Sequence, residues 1–367
     1  MIRREYFYMI LGLLGLLSGL AQRSMFGHTL PFLWESVGLL PFVLGPLFYV
    51  LSNTVEKWMP LQLVRITAWI GGYWFMAAFY GTMLLVPFAL LWAGCMLAAP
   101  AAWPLMAEYY SIGSLCVLGL IMLYGIWKAF HPVVRRVEIS TDKPLERTVT
   151  IAFASDIHFG IILGPWFARR LVRDMNALQP DIILFGGDVI DGNLNVVARS
   201  LTFRPLRELQ AKIGTWSVLG NHDNYCSAVR REIKLLRKEG VRILKDETTQ
   251  LMEGLRLVGM RDALFFSDSV VPAAEEDEFT VVVDHIPLRI AEAAKQGADL
   301  YLSGHTHAGQ FWPIRYSTRK KYLLDYGTRF FGKMCAITTS GYGAWGALFR
   351  TGPSSEIVLI TVHPETE

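Results

Sequence analysis

The stretch VTIAFASDIHFG, residues 149–160, decides the fold: an apolar, β-branched run stops at an acid and a histidine, and a glycine follows. Such a run, bounded by turn residues, reads as a buried strand (149–155) that delivers polar side chains at its carboxyl end. The pattern recurs downstream in DIILFG (181–186), TWSVLG (215–220), LRLVGM (255–260), TVVVDH (280–285) and DLYLSG (299–304). Helix-like stretches separate these runs at 165–179, 196–211, 227–239 and 287–296. Strands alternating with helices predict an α/β domain with helices on its sheet faces, and in such folds ligands gather at the carboxyl ends of strands. Residues 336–340 and 356–362 read as further strands closing the domain, and AAEEDE (273–278) reads as a solvated loop.

Upstream of residue 132 the chemistry changes. Only ten of the 67 charged residues fall in residues 1–131, so the chain is predicted to divide into a membrane domain (1–131) and a water-soluble domain (132–367). A bilayer span needs ~20 apolar residues at ~1.5 Å each. Four stretches qualify: 6–20, 33–51 with Glu35 near its start, a run from Ile66 into a piece broken by Pro100 and Pro104, and 111–130. The Pro100–Pro104 piece is predicted to be re-entrant or interfacial. Residues 6–20 are read as a retained helix rather than a cleaved signal, because no small-residue cleavage site precedes Gln22. Arg3, Arg4, Lys57, Arg65, Lys128, Arg135 and Arg136 would share one side of a four-span layout, against Arg23 alone on the other. That bias predicts a multi-pass protein of the cell (inner) membrane with both termini and the soluble domain cytoplasmic.

The soluble part carries nearly equal numbers of basic and acidic residues, so no nucleic-acid partner is expected. Cys95, Cys116, Cys226 and Cys335 fit neither a disulfide framework nor a zinc ribbon and are read as small apolar residues. The remaining signal lies at the strand ends. Asp156-Ile157-His158 follows the first run, Gly187-Asp188 the second, Gly220-Asn221-His222-Asp223 the third, His285-Ile286-Pro287 the TVVVD run, and Gly304-His305-Thr306-His307 the last. One such residue would be an ordinary turn residue, but five runs delivering imidazole, carboxylate or carboxamide to one edge predict a metal site. The pairs Asp156/His158 and His305/His307 suit a strand period of two. Mixed oxygen and nitrogen donors favour Mn²⁺, Fe²⁺ or Zn²⁺ over Ca²⁺.

In that order, DxH, GD, GNHD, HxP and GHTH resemble the calcineurin-like metallophosphoesterase superfamily over about residues 148–309, and the wider layout is similar to its membrane-bound bacterial members. The resemblance implies a four-layer α/β/β/α sandwich and two divalent ions. One ion would take Asp156, His158 and His307, the other Asn221, His285 and His305, with Asp188 bridging. His222 would assist the phosphate without binding metal, oriented by Asp223. Two departures stand out: Ala308 where glycine is common, and Asp284 before His285, a candidate acceptor for that ring. Asp191, in GGDVID, is read as structural.

With the two ions the resemblance implies, two-metal logic predicts a phosphoesterase in which a hydroxide bridging the ions attacks phosphorus, and a phosphodiester or pyrophosphate bond is the expected target. Aromatic and basic residues near the motifs match an interfacial surface: Phe159, Trp166, Phe167, Phe265, Phe266, Phe311, Trp312, Arg315, Arg319, Lys320, Lys321, Phe330, Phe331, Trp345 and Phe349. With the predicted anchor, they point to membrane lipids as partners and to a lipid-linked phosphoester substrate such as UDP-diacylglucosamine. A catalytically silent membrane sensor or scaffold is the alternative, disfavoured by the complete ligand set. A transporter is disfavoured by the few ionisable residues inside the spans.

Overall fold

The computed structural model describes residues 4–26, 40–54, 58–191, 193–226 and 228–365. The chain divides into two compact units, Met1–Trp127 and Lys128–Glu367.

The first unit holds α1 (Arg4–Phe26), α2 (Leu40–Thr54), α3 (Leu61–Ala98) and most of α4 (Trp103–Ala129). Among the described residues, Leu61–Ala98 and Pro100–Ala129 are long and apolar enough to cross a membrane. Residues 33–39 of the expected second span, including Glu35, lie outside the described residues, as do Arg3 and Lys57. The expected re-entrant or interfacial piece is reduced to a short break at Pro100, and no separate re-entrant helix forms among the described residues. Instead α3 runs unbroken through Pro87 for 38 residues, and Pro100 opens a single 3₁₀ turn into α4. Pro104 stands in the first turn of α4, where a missing N–H costs nothing because it would have no helical acceptor. Inside this unit Gln22 Nε2 donates to the Ala78 carbonyl at 2.9 Å, and Tyr49 stacks on Phe75 at 5.0 Å. Val86, Leu90, Leu97, Leu120 and Leu123 are exposed, as lipid-facing side chains would be.

The second unit is built on two six-stranded mixed sheets. Its strands are β1 (Val133–Thr141), β2 (Val149–Ala154), β3 (Ile182–Gly186), β4 (Gly214–Val218), β5 (Val241–Ile243), β6 (Glu247–Met252), β7 (Leu255–Gly259), β8 (Phe279–Val283), β9 (Leu300–Ser303), β10 (Gly327–Phe331), β11 (Met334–Thr338) and β12 (Glu356–Pro364). The first sheet runs β1-β12-β2-β3-β4-β5 and the second β10-β11-β9-β8-β7-β6. One core joins them: Ile151, Phe153 and Leu184 from the first sheet cluster with Leu257, Val281 and Leu302 from the second. The helices are α5 (Pro165–Asn176), α6 (Leu194–Arg199), α7 (Asn221–Tyr225), α8 (Val229–Lys238), α9 (Ile290–Lys295) and α10 (Arg315–Lys321). On the other face of the second sheet, Ile290 and Ala293 of α9 join Val258, Val282 and Tyr301. Every residue of β3, β8 and β9 is buried, which is why these strands read as continuous apolar runs.

The six strand-like runs coincide with β2, β3, β4, β7, β8 and β9 to within a residue or two at each end. The helix expected over 196–211 is broken. It stops after α6, because Leu201 takes a left-handed φ of 55° and a separate 3₁₀ turn, Arg204–Glu208 with Pro205 near its start, follows. Strands β1, β5, β6 and β10 carry no such signal in the sequence, since they are short or half-exposed and lack a continuous apolar run. Cys95, Cys226 and Cys335 are buried, Cys116 is exposed, and all four are unpaired.

Asp181, just before β3, ties two strands together. Its Oδ2 accepts the Thr150 N–H and hydroxyl, each at 2.8 Å, while Lys212 and Arg147 donate to Oδ1 at 3.0 Å. Burial alone would raise its pKa, but the Thr150 donors and the two cations outweigh burial and push it down to about 2. A carboxyl whose folded value is depressed contributes stability that is complete above about pH 4 and lost as pH falls toward 2. Asp181→Asn should therefore lower the thermal midpoint at pH 7 while flattening its fall between pH 4 and pH 2. An unchanged acid profile in a calorimetric pH series would refute this.

Candidate metal centre

Strands β2, β3 and β4 run parallel to one another, as do β7, β8, β9 and β11, so their carboxyl ends emerge together. Loops from the two sheets meet there: the His305 N–H points at both Asp156 oxygens, 3.0 Å from each. The expected period-two explanation fails. Asp156, His158, His305 and His307 lie beyond the strands, and each has a positive φ, between 49° and 67°. Asp188 joins them at 50°, and so does Ala308 at 50°, where a glycine would be unstrained. Left-handed backbone at non-glycine residues costs roughly 1–2 kcal/mol each, and such strain gathers at functional sites. The turn also needs space: a Cβ on Gly304 would stand 2.2 Å from Asp156 Oδ2.

All seven expected donors converge in two overlapping groups. In the first, His158 Nε2 lies 3.0 Å from His307 Nε2, and His307 Nε2 lies 3.5 Å from Asp156 Oδ1. In the second, His285 Nε2 lies 3.0 Å from Asn221 Oδ1, 3.3 Å from His305 Nδ1 and 3.2 Å from Asp188 Oδ2. Asp188 Oδ2 is also 3.9 Å from His158 Nε2, so it stands between the groups. Ligands ~2.1 Å from one cation in tetrahedral geometry are about 3.4 Å apart, and both groups fit that spacing. Facing ring nitrogens at 3.0–3.3 Å share a proton as hydrogen bonds here, and once that proton is displaced the same nitrogens can aim lone pairs at a cation.

Electrostatics agree with a cation trap. Burial first, and His285 next, push the His305 imidazole down to about 3; burial and His158 hold His307 well below its ordinary value. Both rings are therefore neutral donors at pH 7. Burial opposes charge on His285, yet Asp188 and Asp156 push it up to about 10, so an entering ion there displaces a proton. Its Nδ1 donates to the Gly186 carbonyl at 2.8 Å, which fixes the ring and aims Nε2 inward.

Three expected roles change hands. Asp223 does not hold the His222 ring; its carboxylate accepts the backbone N–H groups of Ile190 at 3.0 Å and Gly220 at 2.8 Å. Asp191, expected to be structural, is the ring's partner, with Oδ1 3.1 Å from His222 Nδ1 and 3.6 Å from His158 Nδ1. Asp284 does not serve His285: its oxygens take Arg289 Nη1 at 3.1–3.2 Å and the Tyr301 hydroxyl at 2.9 Å, forming a buried pair. His222 remains partly open to solvent, and its backbone N–H donates to Asp188 Oδ1 at 2.8 Å. Burial works against its charge, but Asp188 and Asp191 push its pKa up to about 9, so the ring is cationic at pH 7 and suited to an anionic phosphoryl group.

Arg350 carries no signal in the sequence and sits fully buried beside this cluster. Its Nη2 donates to the carbonyls of Ser340 and Gly343, both at 2.7 Å, and lies 3.3 Å from His307 Nδ1. The expected aromatic set divides: Phe159, Phe167, Phe311 and Phe349 are core, whereas Phe265, Trp312, Phe330 and Trp345 are exposed. Arg319, Lys320 and Lys321 are exposed in α10.

The sequence profile for calcineurin-like phosphoesterase matches residues 149–309, the segment that supplies all seven donors. Residues 149–309 are a calcineurin-like phosphoesterase domain. The chain thus carries a metallophosphoesterase, an enzyme of the metal-dependent phosphoric ester hydrolase class. It is 28% identical over 265 residues to an uncharacterized metallophosphoesterase of Helicobacter pylori, covering 68% of this chain and 70% of that one. A Bos taurus transmembrane protein with metallophosphoesterase domain is 27% identical over 67% of this chain and 61% of its own. Phosphodiesterase YaeI of Escherichia coli is 29% identical over 53% of this chain and 75% of its own. Arg350 lies beyond the phosphoesterase profile, which explains why no motif flags it.

Proposed function

We propose that the protein is a membrane-anchored phosphodiesterase or pyrophosphatase that works with two divalent ions of the Mn²⁺, Fe²⁺ or Zn²⁺ type. The observation that carries this reading is the spacing of the seven donor atoms, 3.0–3.9 Å apart in two groups that share Asp188. Asp156, His158 and His307 would hold one ion, Asn221, His285 and His305 the other, and Asp188 both. When bound, the pair supplies an acidified water and positive charge for the phosphoryl oxygens. His222, held cationic by Asp188 and Asp191, meets the phosphoryl charge or delivers a proton to the departing alcohol oxygen. Asp223 keeps the Gly220 and Ile190 turns in register, so Asn221 and Asp191 point into the site.

The substrate class is a lipid-linked phosphodiester or pyrophosphate, of which UDP-diacylglucosamine is an example. Exposed Trp312 and Phe330 and the cations of α10 support it, since rings and cations together suit anionic headgroups. On this reading four helices cross the inner membrane, the domain with helices outside both sheets forms the four-layer sandwich, and Arg65, Lys128, Arg135 and Arg136 mark the cytoplasmic side. The purified chain with Mn²⁺ should hydrolyse bis-p-nitrophenyl phosphate, and His222→Ala should lose about 10²–10⁴-fold in kcat. Equal rates in the two proteins would overturn the assignment, and indifference to every lipid in micelles would overturn the lipid-linked class.

A further inference from the structure

His222 is the outward end of the catalytic cluster, and the aromatic contacts continue past it. The Tyr225 ring centroid lies 5.5 Å from His222 at 65°, and Phe265 lies 5.6 Å from Tyr225 at 67°. Tyr225 is 54% exposed, Phe265 41% and their neighbour Leu264 53%, a contiguous apolar ledge leading out of a charged site. Exposed apolar side chains grouped in this way mark binding surfaces.

The segment carrying Phe265 is pinned from inside. The Phe265 and Phe266 N–H groups donate to the Asp262 carbonyl at 3.2 and 2.9 Å, and Asp262 Oδ1 accepts the Leu264 N–H at 3.1 Å. Buried Arg289 donates to the carbonyls of Arg261, Phe266 and Ser269, and the Arg261 guanidinium lies 4.4 Å over the Phe266 ring. The ledge is therefore built in advance of any ligand.

We propose that Tyr225 and Phe265 form a subsite for a planar aromatic ester group, a nucleobase or an aryl ring, carried by the phosphoester substrate; this rests on the phosphodiesterase reading. A phosphoryl group seated against the seven donors and His222 has its His222-side ester group directed onto Tyr225. Two rings meeting edge to face leave one open face and one edge, a corner that takes a flat ring by stacking and edge contact. A flexible acyl chain gains less from such a corner, having no face to stack.

The test uses the full chain in detergent, loaded with Mn²⁺, and calorimetric titration with phenyl phosphate, thymidine 5′-monophosphate, octyl phosphate and methyl phosphate. The two ring compounds should bind about tenfold tighter than methyl phosphate, within the range that stacking on aromatic side chains gives. In Phe265→Ala, Tyr225→Ala and Phe265→Leu that ratio should fall to about twofold or less. A wild-type ratio near one, or a ratio that survives all three changes, overturns the subsite. Octyl phosphate matching the ring compounds, with no loss in Phe265→Leu, also overturns it, since the ledge would then read apolar length. Because binding is measured without turnover, failure to hydrolyse any diester would count against the phosphodiesterase reading separately.

Discussion

Asp188→Ala is expected to abolish nearly all metal-dependent diester hydrolysis, with a loss of about 10²–10³-fold or more, the cost of removing a charged group from a preorganised site. The Asp188 carboxylate stands between the two donor groups: Oδ2 is 3.2 Å from His285 Nε2 and 3.9 Å from His158 Nε2, while Oδ1 accepts the His222 backbone N–H at 2.8 Å. Burial would favour a neutral carboxyl, but His285 and His222 outweigh it and hold the group ionised. On the two-ion reading, alanine removes the negative charge that would lie between the ions and frees the His222 backbone N–H. Mn²⁺ content by elemental analysis should fall below two ions per chain, while far-ultraviolet dichroism stays unchanged, because the hydrophobic core lies elsewhere. Asp188→Asn keeps the shape and the backbone acceptor but not the charge, so its loss should be nearly as large. Wild-type turnover in either variant would remove the two-ion reading.

Arg350→Met should be the most destabilising substitution beside the site. The guanidinium is fully buried, no acid pairs with it directly among the described residues, and its Nη2 holds the carbonyls of Ser340 and Gly343. Burial lowers its pKa to about 10, still charged at pH 7. The segment it holds braces the first donor loop: Tyr342 and Gly343 donate their N–H groups to the Ser155 and Asp156 carbonyls, both at 2.9 Å. The fit there is tight, since a Cβ on Gly343 would stand 2.0 Å from the Ile157 carbonyl oxygen. Methionine keeps the bulk but strands buried carbonyls at ~1–3 kcal/mol apiece, so roughly 3–5 kcal/mol should be lost. At ~2–4 °C per kcal/mol for a unit of this size, the soluble unit should melt about 6–20 °C lower. A purely structural role would stop there. A positioning role adds weaker Mn²⁺ binding, by about 10–100-fold, through displaced Asp156, His158 and His307. Arg350→Lys should recover only part of either quantity, because one ammonium cannot span the same acceptors. Wild-type melting and wild-type Mn²⁺ affinity in Arg350→Met would refute both expectations.

Much of this site is legible in the order of residues alone, for a local reason. A buried strand must stop where its polar residues begin, so Asp156, Asp188, Asn221, His285 and His305 each announce themselves by following an apolar run. Roles that depend on which loop faces which do not follow from that order. Asp223 is one residue from His222, yet its carboxylate turns back onto two backbone amides, and Asp191 from another loop takes the ring. Asp284 adjoins His285 but faces the opposite side of β8, where Arg289 and Tyr301 meet it. Neighbours along an extended chain point to opposite faces, so adjacency argues against shared contact.

The sequence by itself determined that an oily third precedes an α/β domain, and which strand ends carry the candidate metal-binding side chains, because hydropathy and strand ends are properties of short segments; the choice of seven among them came from the family resemblance. Only the tertiary structure decided the strand order within each sheet, the left-handed turns that aim the donors, the Asp191–His222 pair and the buried Arg350. Those features arise from segments distant along the chain that one core presses together, and a contact between distant segments leaves no mark on the local order of residues.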